Sequence, residues 1–95
     1  MTGVTYTYRP DVLEAVQVHG VKPTSHTSPV LVRNFVRDLY KYELRALRER
    51  YVRKEFPKHE YYERVEALRN RYPVLALVAR LWVTNPISGP GADDV

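Results

Sequence analysis

Apolar residues recur every three or four positions through the middle of the chain, which is the spacing that places side chains on one face of an α-helix. The clearest stripe consists of Tyr61, Val65, Leu68 and Tyr72. A longer periodic stretch runs from Pro29 to about Lys54 and follows Ser28, a favourable N-cap residue. Pro57 lies between the two stretches and interrupts helical hydrogen bonding, so the pattern predicts two separate helices.

The two helical stripes match each other if the chain reverses direction near Phe56. In that register Tyr40 faces Tyr72 and Tyr51 faces Tyr61, so aromatic residues meet at both ends of the pair. Two antiparallel helices joined by a short turn form an αα-hairpin. The sequence therefore predicts a long antiparallel helical hairpin at the centre of the molecule.

A short helix is predicted before the hairpin, beginning at Pro10 or Asp11 and stopping at Gly20. Proline is favoured in the first turn of a helix, and glycine is favoured just after the last turn. Asp11 and Glu14 have the three-residue spacing of a capping box.

The N-terminal segment VTYTY, residues 4–8, alternates threonine with larger residues, a pattern typical of a short strand. The one other segment with strand-like composition is LWVTN, residues 81–85. Three outcomes are open: the two segments pair with each other, the N-terminal segment pairs with another chain, or it stays unpaired.

The most apolar part of the chain is PVLALVARLWV, residues 73–83, in which ten of eleven residues are apolar. As a helix it would be hydrophobic on every side, unlike the amphipathic helix expected on a small monomer. We predict a hydrophobic C-terminal helix whose uncovered part forms an interface. The predicted partner-binding residues are Leu77, Val78, Leu81 and Trp82. A helix buried in the core of the monomer is the alternative.

Together these elements predict one all-α domain, in which a short N-terminal helix and a hydrophobic C-terminal helix accompany the long hairpin. The predicted boundaries are an N-terminal arm at residues 1–9, the helical domain at residues 10–83 and a disordered tail at residues 84–95. The tail is assigned from its prolines and glycines, which disfavour regular structure. A chain of 95 residues can form one core.

The composition removes several classes of function. The chain has no cysteine, which excludes disulfides, thiolate nucleophiles and cysteine-bound zinc, and which fits a cytoplasmic protein. The N-terminus has no basic segment followed by an apolar run, so no secretory signal is expected. The apolar run at residues 73–83 contains Arg80 and is shorter than the ~20 residues of a membrane helix, so no membrane partner is expected. No phosphate-binding loop or catalytic serine motif is present, and no cofactor is predicted.

A basic face on the longer helix is the second candidate binding site. The chain has 15 Lys and Arg against 11 Asp and Glu, a net charge of +4. At about 100° per residue, five basic side chains fall within about 120° of arc. They are Arg33, Arg37, Lys41, Arg45 and Arg48. This face could follow the phosphates of a nucleic acid, although a solvated helix surface has the same composition.

Glu43 interrupts the inward-facing apolar stripe of the longer helix. An unpaired carboxylate at such a position would be costly to bury. The hairpin register places Arg69 opposite Glu43, and Arg50 lies two turns further along the same stripe. We therefore predict a structural polar pair between Glu43 and Arg69 that fixes the register of the two helices. A catalytic base is the alternative, but no second titratable group converges with Glu43.

Metal binding has weaker support in the sequence. His59 and Glu63 are one helical turn apart, and Glu43 could join them as in carboxylate-bridged metal bundles. However, Glu63 points away from its apolar stripe, and the Glu-x-x-His pattern of those bundles is missing. His19 and His26 flank a loop that has no metal-binding spacing. No metal ligand and no catalytic residue is assigned.

The preferred interpretation is a small helical protein–protein interaction module, without catalysis of its own. It would act as an accessory subunit, an adaptor or a self-assembling oligomer, so a protein partner or a homo-oligomer is expected. The first alternative is a nucleic-acid-binding protein that uses the basic face. The second alternative is a small metal-dependent enzyme with carboxylate and histidine ligands.

Overall fold

A computed structural model describes residues 4–85, and within that range the chain is all-α. The helices are α1 (Pro10–Gln17), α2 (Pro29–Val52) and α3 (Lys58–Asn70). Two single-turn 3₁₀ helices follow, at Pro73–Ala76 and Ala79–Trp82. The described range contains no extended strand, and none of its helices has both the length and the apolar composition that a membrane span requires.

α1 begins at Pro10, where the proline ring suits the first helical position. The predicted capping box does not form, because the N-cap residue is Arg9 and no side chain caps the helix. Asp11 instead pairs with Arg9 at 2.9 Å and lies in the first turn, where its charge complements the helix dipole. Beyond the helix, Gly20 has a φ of +80°, a conformation that glycine adopts without steric cost.

α2 and α3 pack side by side and are joined by the short connection at residues 53–57. Near the connection, Tyr51 stacks on Tyr61 with ring centroids 4.5 Å apart. At the other end of the pair, the rings of Tyr40 and Tyr72 are 5.1 Å apart. Both aromatic contacts are those predicted from the sequence, so the predicted facing of these residues is confirmed.

The segment at residues 73–83 does not form the single hydrophobic helix predicted from the sequence. Leu77 and Val78 are extended and separate the two 3₁₀ turns. The break turns the carbonyl of Leu77 towards the side chains of Arg33 and Trp82, which donate to it at 2.7 and 3.2 Å. A straight helix would bury one side only, whereas the bent segment directs most of its large apolar side chains into the core.

The two strand-like segments at the chain ends meet in a single antiparallel bridge between Tyr8 and Val83. The backbone amide of Thr84 donates to the carbonyl of Thr7 at 2.8 Å. The side chain of Asn85 accepts a hydrogen bond from the amide of Thr7 at 2.7 Å. Thr84 and Asn85 therefore belong to the folded domain, although they were predicted as the start of a disordered tail. The rest of that predicted tail lies outside the described residues.

The buried apolar residues form one continuous cluster, but they are distributed unevenly between two parts of the molecule. We call residues 4–40 and 72–85 the head, and residues 41–71 the arm. Of the thirteen buried apolar side chains in the described range, ten lie in the head, and Trp82 among them is completely buried. The three buried apolar side chains of the arm are Leu47, Phe56 and Leu68. The radius of gyration is 16.1 Å, against about 12 Å for a compact domain of this length, because the two-helix arm projects from the head.

Candidate functional site

A polar cluster around Glu43 lies where the arm joins the head. Arg71 Nη2 donates to Glu43 Oε1 at 2.6 Å, and the hydroxyl of Tyr72 donates to Glu43 Oε2. Arg69, the partner predicted from the sequence, instead pairs with Glu66 on its own helix at 3.3 Å. Two residues correspond to about 200° around a helix, so Arg69 and Arg71 lie on opposite edges of α3.

The hydrogen bonds of this cluster determine the charge of its members. Burial would raise the pKa of Glu43, but the hydrogen bonds from Tyr72 and Arg71 outweigh it and hold that pKa below its usual value. Burial and the hydrogen bond to Glu43 raise the pKa of Tyr72 to about 12. At neutral pH Glu43 is ionised and Tyr72 is protonated. Because both carboxylate oxygens already accept hydrogen bonds, the geometry supports a structural role for Glu43 over a role as a base.

His19 extends the cluster from just beyond the end of α1. Its Nε2 atom lies 2.8 Å from the carbonyl oxygen of Arg71, so this nitrogen is the hydrogen-bond donor. The imidazole also stacks on the ring of Tyr72, with centroids 4.0 Å apart. These contacts tie α1 to the end of α3 and help to hold the arm on the head.

The residues considered for metal binding are not brought together. His59 and Glu63 are exposed on α3. Glu43 lies at the other end of the arm, where Arg71 and Tyr72 occupy its carboxylate. Between residues 4 and 85, no three His, Asp or Glu side chains lie close enough to share a metal ion.

The predicted basic face contains side chains with different roles. Arg33 belongs to the fold, because its guanidinium donates to the carbonyl oxygens of Leu75 and Leu77 at 2.8 and 2.7 Å. Arg37 contacts Asp38 at 3.4 Å at the surface. Three members are exposed and pair with no carboxylate of the described chain: Lys41, Arg45 and Arg48. The face is therefore shorter than the sequence predicted.

The four residues predicted to bind a partner differ in burial, and one of them lies in the core of the head. Trp82 is completely buried. Leu77 packs against the core, and Val78 is half-buried. Among the four, Leu81 alone is exposed. The segment thus contributes to the packing of the monomer as two 3₁₀ turns and not as a buried helix.

Four of the nine exposed large apolar side chains in the described range lie on α2. Leu31, Phe35 and Tyr42 are 65%, 57% and 68% exposed. At about 100° per residue, the three side chains fall within about 40° of one another, and we call them the apolar stripe. Val36, which is completely buried, marks the opposite direction into the core. The sequence contains a signal for this stripe, since α2 has more apolar residues than one face can hold.

A groove between α2 and α3 continues the apolar stripe into the arm. It has a volume of about 450 Å³. Its apolar lining residues are Ala46, Leu47, Ala67 and Leu68. Three arginines line it as well: Arg50, Arg64 and Arg71. Tyr42 belongs to the stripe and also lines the groove, so the two features form one surface.

Comparison with known proteins leaves the family open. No protein-family model matches the chain, and neither a curated protein nor a solved structure is significantly similar to it. Function therefore has to be inferred from the surface chemistry of the chain itself.

Proposed function

We propose that the protein is a small helical protein–protein interaction module, an accessory subunit or adaptor without catalysis of its own. The observation that carries this proposal is the apolar stripe, in which Leu31, Phe35 and Tyr42 share one exposed side of α2. A cytoplasmic location, expected from the lack of cysteine, belongs to the same proposal.

The alignment of these side chains distinguishes the stripe from ordinary exposed apolar residues. Single exposed apolar residues are common on protein surfaces and need no explanation. Three on one helical face span about 17 Å along the helix, and burying each large side chain contributes about 1.5–3 kcal/mol. Aromatic residues such as Phe35 and Tyr42 are also typical anchors of protein interfaces.

The construction of the arm supports the same proposal. Stable domains bury the apolar side of each helix against another layer, but the arm is one pair of helices with few buried side chains. We infer that α2 and α3 act as a long antiparallel hairpin whose open side is covered by a partner. The partner molecule would then supply the surface against which the open side of α2 and α3 packs.

Nucleic-acid binding is a second candidate, favoured by the charge of the arm. Residues 41–71 contain ten Lys and Arg against six Glu. Because Arg33 is engaged with backbone carbonyls, at most four members of the basic face could contact phosphates. The slope of log K against log salt on duplex DNA should then be no steeper than about −3.6.

Site-specific photo-crosslinking tests the main proposal. The photoreactive residue p-benzoylphenylalanine would replace Phe35 in one protein and Tyr62 in another. Tyr62 is a matched control, because it is 58% exposed against 57% for Phe35 and lies on α3 away from the apolar stripe. Both proteins would be irradiated in cells of the source organism.

We expect a crosslinked protein of defined mass from position 35 and none from position 62. Changing Tyr42 to Ser in the position-35 protein should reduce the crosslink while leaving the circular dichroism spectrum unchanged. The proposal is wrong if position 35 gives no adduct, or if both positions give the same adducts.

A further inference from the structure

The distribution of charge indicates which kind of partner the apolar stripe binds. The arm, residues 41–71, has ten basic and six acidic residues, whereas the rest of the chain has five of each. The whole net charge of +4 therefore lies on the arm. A partner that covers this region meets a positive surface.

Positive side chains border the combined stripe and groove on both sides. On one side of α2 are Lys41 and Arg45, which pair with no carboxylate between residues 4 and 85. On the other side are the arginines of the groove. Arg50, Arg64 and Arg71 have side chains that are 43%, 42% and 58% exposed.

The groove arginines can bind further acceptors. Each pairs with one carboxylate of its own chain, at 2.8 Å for Arg50, 3.0 Å for Arg64 and 2.6 Å for Arg71. A guanidinium has five N–H donors, and one carboxylate accepts at most two of them in a fork. The pairs therefore hold the arginines in place while leaving donors directed at solvent.

Two carboxylates interrupt this surface: Glu43, which lines the groove and is paired with Arg71, and Asp38. Asp38 lies between Phe35 and Tyr42 on the exposed side of α2, and Arg37 pairs with it at 3.4 Å. Exposed pairs of this kind contribute little energy. Asp38 should therefore weaken the binding of a negatively charged partner. Removing its charge should increase the affinity for such a partner, which can be tested.

We propose that the partner is an acidic amphipathic helix of another protein, which lays its apolar face on the stripe and groove and its carboxylates against both basic borders. This inference rests on the proposed function. From Leu31 to Arg50 the surface extends about 28 Å along α2, which corresponds to a partner helix of about five turns. Helices that dock by an apolar face are a common mode of peptide recognition.

The same charges argue against a second copy of the chain on this surface. Because both borders of the stripe are positive, parallel and antiparallel pairing of two copies would each bring basic side chains together. Like charges across an interface oppose association. A nucleic acid matches the charge but offers no apolar ridge for Leu31 and Phe35, so an acidic helix satisfies both features of the surface.

Peptide binding tests the inference by fluorescence anisotropy. The probe is a labelled synthetic helix of about five turns, with leucines on one face and glutamates on its flanks. One control peptide replaces the glutamates with lysines, and a second has the same composition in scrambled order. A single-stranded DNA oligonucleotide is the third control. We expect the acidic helix to bind at least about tenfold more tightly than either control peptide.

Substitutions in the protein locate the binding surface. Phe35→Ser and Arg64→Gln should each weaken the acidic helix at least about fivefold. Arg69→Gln removes the same charge from the other edge of α3 and should change affinity less than about twofold. Asp38→Asn should strengthen binding. Circular dichroism would confirm that each variant keeps its helices. If Arg64→Gln proves unstable, Ala67→Gln replaces it, because the longer side chain obstructs the groove without a change of charge.

Several results would overturn the inference. Equal binding of the scrambled or lysine peptide would exclude an acidic helix as the ligand. Tighter binding of the oligonucleotide, lost in Arg64→Gln, would identify nucleic acid as the ligand. A dimer of the protein that disappears in Phe35→Ser would identify a second copy. In each case the inference about the acidic helix fails, but a crosslink to a protein from position 35 would still support the proposed function. If position 35 gives no crosslink, the proposed function and the inference are both wrong.

Discussion

The head and the arm of this protein contain similar residues but depend on different interactions. In the head, short segments from both ends of the chain surround Trp82, which is completely buried. In the arm, two helices share a narrow seam with three buried apolar side chains. By residue count the head has five basic and three acidic residues, a net charge of +2, while the arm has ten and six, a net charge of +4. The difference indicates that the head supplies most of the stability, as expected from its larger number of buried side chains.

The junction between the two parts is polar. Glu43 on α2 accepts hydrogen bonds from Arg71 and Tyr72, and His19 stacks on Tyr72 from the end of α1. These directional contacts fix the angle at which the arm leaves the head. The arm can therefore present its surface in a defined position although little apolar area holds it.

The largest expected effect is the loss of the head's central side chain. Trp82→Ala should reduce the free energy of unfolding by about 3–5 kcal/mol, because it leaves a large cavity in a closed core. Leu47→Ala in the arm should cost about 2 kcal/mol, since its surroundings are open enough to relax. Urea denaturation followed by circular dichroism measures both. Equal losses would show that head and arm share stability evenly.

Alkaline pH should weaken the head through two buried tyrosines. Burial, with a smaller contribution from Tyr6, raises the pKa of Tyr8 to about 12, and that of Tyr72 is also about 12. Each hydroxyl is protonated in the folded state up to a higher pH than in the unfolded state. Stability is therefore complete below about pH 10 and falls as the pH rises from there to about 12.

A pKa difference of about two units corresponds to at most about 3 kcal/mol for each tyrosine. Tyr8→Phe and Tyr72→Phe should each flatten part of the decline when unfolding is measured between pH 9 and pH 12, a range of about three units. A wild-type protein whose stability is constant across that range would contradict the burial of these hydroxyl groups.

The junction should show a specific energetic coupling. A double-mutant cycle between Glu43→Gln and Arg71→Gln should give a coupling of about 1–2 kcal/mol, because the pair is charged, hydrogen-bonded and half-buried. The matched cycle with Arg69→Gln should give a coupling near zero. Since the pKa of Glu43 is lowered, its contribution is complete above the unfolded pKa and is lost as the pH falls through the folded one. A larger coupling with Arg69 would restore the pairing that the sequence predicted.

The smallest effects should come from the basic border of the arm. Arg45→Gln should change the free energy of unfolding by less than about 0.5 kcal/mol, as for an exposed, unpaired side chain. Arg33→Gln, on the same helix, should cost about 1–3 kcal/mol, because it leaves two backbone carbonyls without a charged donor. Similar losses from the two substitutions would contradict the division of this face into a structural and an exposed part.

Much of the helical content could be predicted from local sequence signals. Pro10, Pro29 and Pro57 mark the starts of the helices or the break between them, and their effects depend on backbone geometry alone. The facing of Tyr51 and Tyr61 was predictable because a short turn allows few registers. Features within one helix or one hairpin were therefore accessible.

Features that depend on distant parts of the chain were missed. The bend at Leu77 follows from hydrogen bonds with Arg33, more than forty residues earlier in the sequence, and no local pattern encodes it. The same bend buries Trp82 in the core, whereas Leu81 of the predicted interface stays exposed. The choice of Arg71 over Arg69 depends on the rotation of α3, which an approximate register does not determine.

Native-state hydrogen exchange tests the central claim most directly, because it reports opening free energies for both parts in one sample. For the chain alone, we expect amides at residues 41–71 to open at a lower free energy than amides of the head around Trp82. Adding the acidic amphipathic peptide should slow exchange along the arm and along α2 from Leu31 onward, and should leave the amides around Trp82 unchanged. The account is contradicted if arm and head open at the same free energy and the peptide protects neither.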